Sequence, residues 1–321
     1  MLIVDGHCDT LLALYKNARS FWEENKKGHL DWPRLQKGLL KVQFMSIYIE
    51  PQYKPYGALC RSLELIDYYQ LLLLEGEGKL ATVFWKEDLQ CLKNDPRLRI
   101  VLAIEGGEAL EGRLSTLRIF YQLGIRSLTL TWNQRNQLAD GMGETVTKGG
   151  LTTFGREVVR EMNRLGMLID IAHLSEAGFW DVLNISEQPV AVTHACCAAL
   201  HEHARNLTNE QLQALAENEG IIGINYCPHF LGKQKKITID HVIAHLEYAV
   251  SVAGINHVGL GSDYDGIDKA PQGLEDVAKV PALIDKLLQR GWHEEEVKKI
   301  MGGNFIRVLE TVLPEQTNKE K

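Results

Sequence analysis

No stretch of this 321-residue chain stays apolar for the ~20 residues needed to cross a bilayer. Basic charge is not in excess either: 35 Lys and Arg stand against 42 Asp and Glu, a net charge of −7. That balance offers no basic face to nucleic acid or to an anionic membrane, so neither is expected as a partner. The short run Lys233-Gln-Lys235-Lys236 reads as a solvated loop. Cysteine is sparse. The 6 residues, Cys8, Cys60, Cys91, Cys196, Cys197 and Cys227, form neither a CxxC pair nor a dense framework. A reduced, cytoplasmic chain is therefore expected. The first residues also lack the basic segment, apolar stretch and small-residue cleavage site of a secretion signal.

What is present is an ordinary globular composition, 45% hydrophobic and 24% charged, enough for a large core. The length is high for one domain but within the range of barrels. The opening stretch Leu2-Ile-Val-Asp-Gly-His-Cys-Asp9 reads as a buried strand ending in His-x-Asp. Side chains two apart on an extended backbone share a face, so His7 and Asp9 leave the strand end together and suit one divalent cation. Alone this is a weak signal, because most strand-end histidines are merely hydrogen-bonded. Here the pattern recurs.

Further strands are predicted over 41–49, 99–105, 127–132, 167–173, 188–194, 220–226 and 257–263. Helical spacing covers 10–25, 58–75, 110–123, 153–165, 239–253, 281–290 and 294–313. Ser175 caps another helix running to about 184, and the box Thr208-x-x-Gln211 opens one running to about 219. The stretch 80–94 has room for a short strand and helix, and a long polar loop spans 133–150. About eight alternations of strand and helix imply parallel strands with crossover helices. The expected class is α/β, a (β/α)8 TIM-like barrel with its site at the C-terminal strand ends. One catalytic domain is expected over 1–313, with a polar tail over 314–321. A doubly wound open sheet is the competing architecture. It explains less well why strands one, three, five, six and eight all end in reactive residues.

Those residues are His7, Asp9, Glu105, His173, His194 and Asp263. Three imidazoles and three carboxylates at one barrel rim read as a metal site, best suited to Zn²⁺, with Mn²⁺, Fe²⁺ or Co²⁺ as alternatives. Six candidates exceed the needs of one catalytic metal. Two metals sharing a bridging carboxylate fit the count, with Glu105 the natural bridge. His201, His203, His229, His241, His245, His257 and His293 are read as ordinary structural or surface histidines.

The chain resembles the renal (membrane) dipeptidase family of dinuclear zinc peptidases nearly end to end. The motifs are Asp5-Gly-His-Cys-Asp9, Ile104-Glu-Gly-Gly107, Leu128-Thr-Leu-Thr-Trp-Asn133, Leu168-Ile-Asp-Ile-Ala-His-Leu-Ser175, Val192-Thr-His194, Arg205-Asn206, Gly261-Ser-Asp-Tyr-Asp-Gly266 and Gly302-Gly-Asn-Phe-Ile-Arg-Val308. The resemblance implies that His7 and Asp9 hold one zinc, that His173 and His194 hold the other, and that Glu105 bridges them. It also implies that Asp263 is the acid/base for a zinc-bridged hydroxide, and that Arg205, with Asn206 beside it, binds the substrate's terminal carboxylate. The implied substrates are dipeptides, L-Xaa-D-Xaa among them, and the implied assembly is a homodimer. One departure stands out. Animal members carry a substrate-binding His where this chain has Trp132, whose indole N–H can donate a hydrogen bond but cannot ligate a metal. Two rivals remain. Other dinuclear barrel amidohydrolases act on cyclic amides, lactones or β-lactams, but many bridge their metals with a modified Lys at the end of strand four, and here that strand ends Thr131-Trp132. A non-catalytic zinc-binding protein is the other.

Overall fold

The computed structural model describes residues 1–17, 19–90, 92–144 and 146–316. Cys91 and positions 317–321 of the expected tail lie outside them. In chain order the strands are β1 (Ile3–Asp5), β2 (Leu40–Tyr48), β3 (Leu80–Thr82), β4 (Leu98–Glu105), β5 (Ile125–Thr129), β6 (Leu168–Asp170), β7 (Ala191–Ala195), β8 (Ile221–Ile224) and β9 (Val258–Leu260). Eight match the expected runs, and β3 falls in the stretch expected to hold a short one. The helices are α1 (Thr10–Asn17), α2 (Trp32–Gly38), α3 (Ala58–Glu75), α4 (Leu114–Gln122), α5 (Thr153–Leu165), α6 (Glu176–Ile185), α7 (Asn209–Glu217), α8 (Pro228–Leu231), α9 (Ile239–Ala253), α10 (Pro281–Gln289), α11 (Glu294–Lys298) and α12 (Asn304–Val312). Among the described residues no helix is long and apolar enough to cross a membrane.

Local chemistry explains most boundaries. The Thr152 hydroxyl accepts from the Gly155 N–H at the start of α5, and Gly166 ends that helix in the left-handed region. Ser175 caps α6 through the Gly178 N–H, and Thr208 and Gln211 form the expected box on α7. Two helices differ from expectation. The first stops at Asn17, although its apolar spacing continues to Phe21. The buried Arg19 guanidinium donates to the carbonyls of Lys27 and Leu30 and so folds the following segment into a loop. The last helix is broken between α11 and α12 by a wide turn over Lys299–Gly303. A Cβ on Gly302 would lie 2.9 Å from the Leu2 carbonyl oxygen, so only glycine lets this turn approach β1. Asn304 then donates to the carbonyls of Ile255 and Val258, both at 2.7 Å.

The chain divides into two compact units: Met1–Ser46 with Ala191–Phe305, and Ile47–Val190 with the segment beginning at Ile306. In the first unit parallel strands run in the order β2-β1-β9-β8-β7. The register pairs Val4 with Val42, Asp5 with Leu260, and Ile224 with both Leu260 and Ala195. In the second the order is β3-β4-β5-β6, again parallel, with Glu105 opposite Thr129 and Thr129 opposite Asp170. All eight residues of β4 are buried, as expected for a parallel strand covered on both faces.

The first unit holds a buried titratable group that makes stability depend on pH. The Nδ1 of His245 on α9 accepts from the Cys197 N–H at 3.0 Å, and its Nε2 faces the Leu231 carbonyl at 3.3 Å. Burial depresses this imidazole to about 4. The unfolded chain, titrating near 6.5, binds the proton first, so stability holds above pH 6.5 and falls as pH drops toward 4. The loss from this group is on the order of 3 kcal/mol. Urea unfolding at several pH values is expected to show that slope, and His245→Gln is expected to flatten it.

Candidate functional site

In the first unit the end of β1 is clamped to the turn after β9. The Asp5 carboxylate accepts from the Ser262 N–H at 2.7 Å, the Ser262 hydroxyl at 2.6 Å and the Gln43 amide at 3.0 Å. Beyond the clamp, the Asp263 N–H donates to the His7 carbonyl and the Asp9 N–H to the Tyr264 carbonyl. The two segments are thus zipped, and His7, Asp9 and Asp263 converge. Each offers one ligand atom, and these atoms lie within 4.8 Å of one another. His7 Nε2 is 3.8 Å from Asp9 Oδ2, consistent with side chains leaving one face. On β7, His194 sets its ring centroid 3.8 Å from that of His7. Its Nδ1 lies 2.9 Å from the Thr193 hydroxyl, which orients the ring.

Asp263 is held in the left-handed region at φ 62°, a costly conformation for a non-glycine residue that recurs at functional turns. Its Oδ2 accepts from the Asn225 amide at 3.0 Å. Burial pushes its carboxyl up to about 6; His7 draws it back, Asp9 raises it, and Asn225 and Arg205 draw it back further. Two positions on, Asp265 pins the same turn by accepting from Thr10, Arg19 and the His29 N–H.

Arg205, also buried, lies in the loop after β7. Its Nη2 donates to the His194 carbonyl at 2.9 Å, and its own N–H donates to His203 Nδ1 at 3.1 Å. The Asn206 amide donates to the carbonyls of His201 and Phe230, both at 2.8 Å.

In the second unit, Glu105 is the last residue of β4 and His173 lies just past β6 at φ 64°. Glu105 Oε1 and His173 Nε2 are 3.0 Å apart. His173 Nδ1 is 2.7 Å from Asn133 Oδ1, which fixes it as the protonated nitrogen because a carboxamide oxygen only accepts. Nε2 then faces that carboxylate, and a proton or a cation lying between the two satisfies both. Trp132 packs its ring 6.0 Å from that of His173 and 5.3 Å from that of Tyr48. The Lys54 ammonium sits 5.2 Å from the Trp132 centroid and 3.2 Å from Glu108 Oε1. Trp132 is thus wedged between the rings of Tyr48 and His173 with the Lys54 ammonium beside it.

Three observations fit these residues to divalent cations. The donor set mixes imidazole nitrogen with carboxylate oxygen, as zinc prefers. Among the described residues Asp9 Oδ1 is buried with no hydrogen-bond partner, an expensive state for a carboxylate. A Cβ on Gly266 would strike both Asp9 Oδ2 and Asp263 Oδ1, so this position leaves room for the two carboxylates. Gly266→Ala is therefore expected to displace both and lower kcat/KM by about 100-fold, since displacements near 1 Å cost that much. Steady-state kinetics and zinc analysis of the folded variant would check this.

Sequence reasoning named the candidate ligands but not the groups that orient them: Asn133, Thr193, Asn225 and the Asp5–Ser262 clamp. Asn133 and Thr193 each lie within a recognised motif beside a strand-end position, and that adjacency was the available signal. Asn225 lies on no such motif. Its link to Asp263 appears only when β8 and β9 are paired.

The fold and these side chains define a class, a metal-dependent hydrolase on a (β/α)8 TIM-like barrel. A family model described as Membrane dipeptidase (Peptidase family M19) matches residues 1–321, and the chain belongs to that family. It is a metal-dependent dipeptidase. Dipeptidase aclJ of Aspergillus oryzae is 35% identical over 325 residues, covering 96% of this chain and 77% of its own. A metallopeptidase structure from Rhodobacter sphaeroides, liganded with a phosphinate mimic of the dipeptide L-Ala-D-Ala, is 29% identical with a TM-score of 0.91. That match covers 97% of this chain and 99% of the other. The dipeptidase AC, a metallopeptidase of the same family, is 30% identical with a TM-score of 0.92, covering 98% and 99%.

Proposed function

We propose that the chain is a two-zinc dipeptidase acting on L-Xaa-D-Xaa as well as L,L substrates, with residues 1–313 as one catalytic domain. His7 and Asp9 would hold one cation, His173 and His194 the other, and Glu105 would bridge them. The observation that carries this reading is the approach of Glu105 Oε1 to His173 Nε2 at 3.0 Å, alongside the buried Asp9 Oδ1, which has no hydrogen-bond partner among the described residues. The phosphinate mimic in the Rhodobacter relative supports the stereochemical breadth.

When bound, the cations would supply Lewis-acid activation of water and of the scissile carbonyl. The chain's own groups do the rest. Asp263, half-buried and titrating near 6, takes the proton of the attacking water and delivers it to the leaving amide nitrogen. Arg205 presents a fork that matches a terminal carboxylate, which restricts productive substrates to short peptides. Asn133 and Thr193 orient the imidazoles of His173 and His194 through their Nδ1 atoms. Trp132 and Asn206 belong to the substrate pocket, Trp132 as a wall and Asn206 by fixing the loop that carries Arg205. The described cysteines are unpaired, which suits a reducing, cytoplasmic setting. A metal-reconstituted screen over L,L and L,D dipeptides, with lactones and cyclic amides as controls, tests the assignment. Turnover is expected for the dipeptides; turnover of the controls alone would reject it.

A further inference from the structure

The first unit contains an aromatic support that no catalytic role has yet absorbed. Phe230 lies on the short α8 after β8, a chain segment apart from the one that carries Arg205. The Arg205 guanidinium carbon is 5.6 Å from the Phe230 ring centroid, within reach of a cation–π contact. The other contacts converge on the same ring. His203 packs its imidazole 4.6 Å from it, and that imidazole accepts the Arg205 backbone N–H on Nδ1. The Asn206 amide ties the two loops together by donating to the His201 and Phe230 carbonyls. His201 Nε2 lies 3.1 Å from the His229 carbonyl and adds a second tie.

This arrangement does more than fill space. An arginine side chain has several rotatable bonds, and an anion-binding fork works only when those bonds are fixed beforehand. One side of the Arg205 guanidinium is already set by the His194 carbonyl. The Phe230 ring sets its distance from the neighbouring loop.

We propose that Phe230 is a positioning residue that holds the Arg205 guanidinium for the substrate's terminal carboxylate, with His203 and Asn206 fixing the ring and its loop. The inference rests on the reading of Arg205 as the carboxylate-binding group. Phe230 touches no reacting atom, so its removal acts on binding and leaves the chemical step intact. It makes the preference for a free C-terminal carboxylate depend on an aromatic ring two loops away from the candidate ligands.

The test compares zinc-reconstituted wild type, Phe230→Leu and Phe230→Tyr on L-Ala-D-Ala and on its C-terminal amide. For Phe230→Leu, KM for the free acid is expected to rise about tenfold with kcat within about twofold, while kinetics on the amide stay unchanged. Phe230→Tyr, which keeps the ring face, is expected to restore the wild-type KM. Zinc content and melting temperature establish that each variant is folded. Two results would overturn the inference: an unchanged KM for the acid in Phe230→Leu, or equal losses on acid and amide. A wild-type enzyme that hydrolyses dipeptides but ignores the carboxylate would reject the role of Arg205, and this inference with it. A wild-type enzyme that hydrolyses no dipeptide would reject the function itself.

Discussion

Asp263→Asn is expected to lose about 1,000-fold in kcat, the middle-to-upper range for a general acid/base, while keeping its full zinc content. The isosteric amide still accepts and donates hydrogen bonds, but it can neither take nor return a proton at neutral pH. The environment of Asp263 makes the result informative. Its ligand-capable oxygen lies within 4.8 Å of atoms on His7 and Asp9, so a third ligand is the competing role. Burial holds the carboxyl near 6, where a proton exchanges readily around neutrality, and Asn225 occupies Oδ2 with a hydrogen bond. A group so placed is suited to shuttling protons. Activity in the wild type should therefore fall as pH drops through the region near 6, where the basic form disappears. Zinc lost in proportion to activity in Asp263→Asn would instead make this residue a ligand.

Glu105→Gln is expected to have the largest effect on metal content. The substitution would remove the negative charge proposed to bridge the two cations and leave an amide that ligates weakly. It also leaves His173 Nε2 facing a neutral amide in place of the carboxylate now 3.0 Å away. Zinc is expected to fall from about two per chain to one or fewer, and activity by about 10,000-fold or more, since bridging removes two contributions at once. Because Glu105 is buried, the paired control is thermal unfolding in chelator. With metal stripped, a variant that melts close to wild type shows that the loss is of metal and not of fold. A variant that keeps both zincs and most of its turnover would show that the bridge lies elsewhere.

Much of the fold was legible because its signals are local. The caps at Thr152, Ser175 and Thr208 and the glycine stop at Gly166 each depend on residues within one turn. What sequence could not give depends on distant partners. Helix α1 ends early because Arg19 reaches the carbonyls of Lys27 and Leu30, and the final helix breaks because Gly302 must clear β1. The same division holds in the site. Strand-end position marked His7, Asp9, Glu105, His173, His194 and Asp263. Strand-end residues are not all in strands, however: His173 and Asp263 lie past β6 and β9, in left-handed turns that aim them. Nothing in the spacing could separate Asp263 from a ligand. Its place beside His7 and Asp9 keeps both roles open to the zinc measurement on Asp263→Asn. His203 was set aside as an ordinary histidine, because its contact with Arg205 comes through a backbone N–H that no side-chain pattern records.

The proposed mechanism requires that two divalent cations be held and needed. The most direct measurement is a zinc titration of the metal-free protein, following L-Ala-D-Ala hydrolysis and bound metal together. Activity should rise with added zinc and level off at two equivalents per chain. Full activity at one equivalent, or two bound equivalents with no hydrolysis, would contradict it.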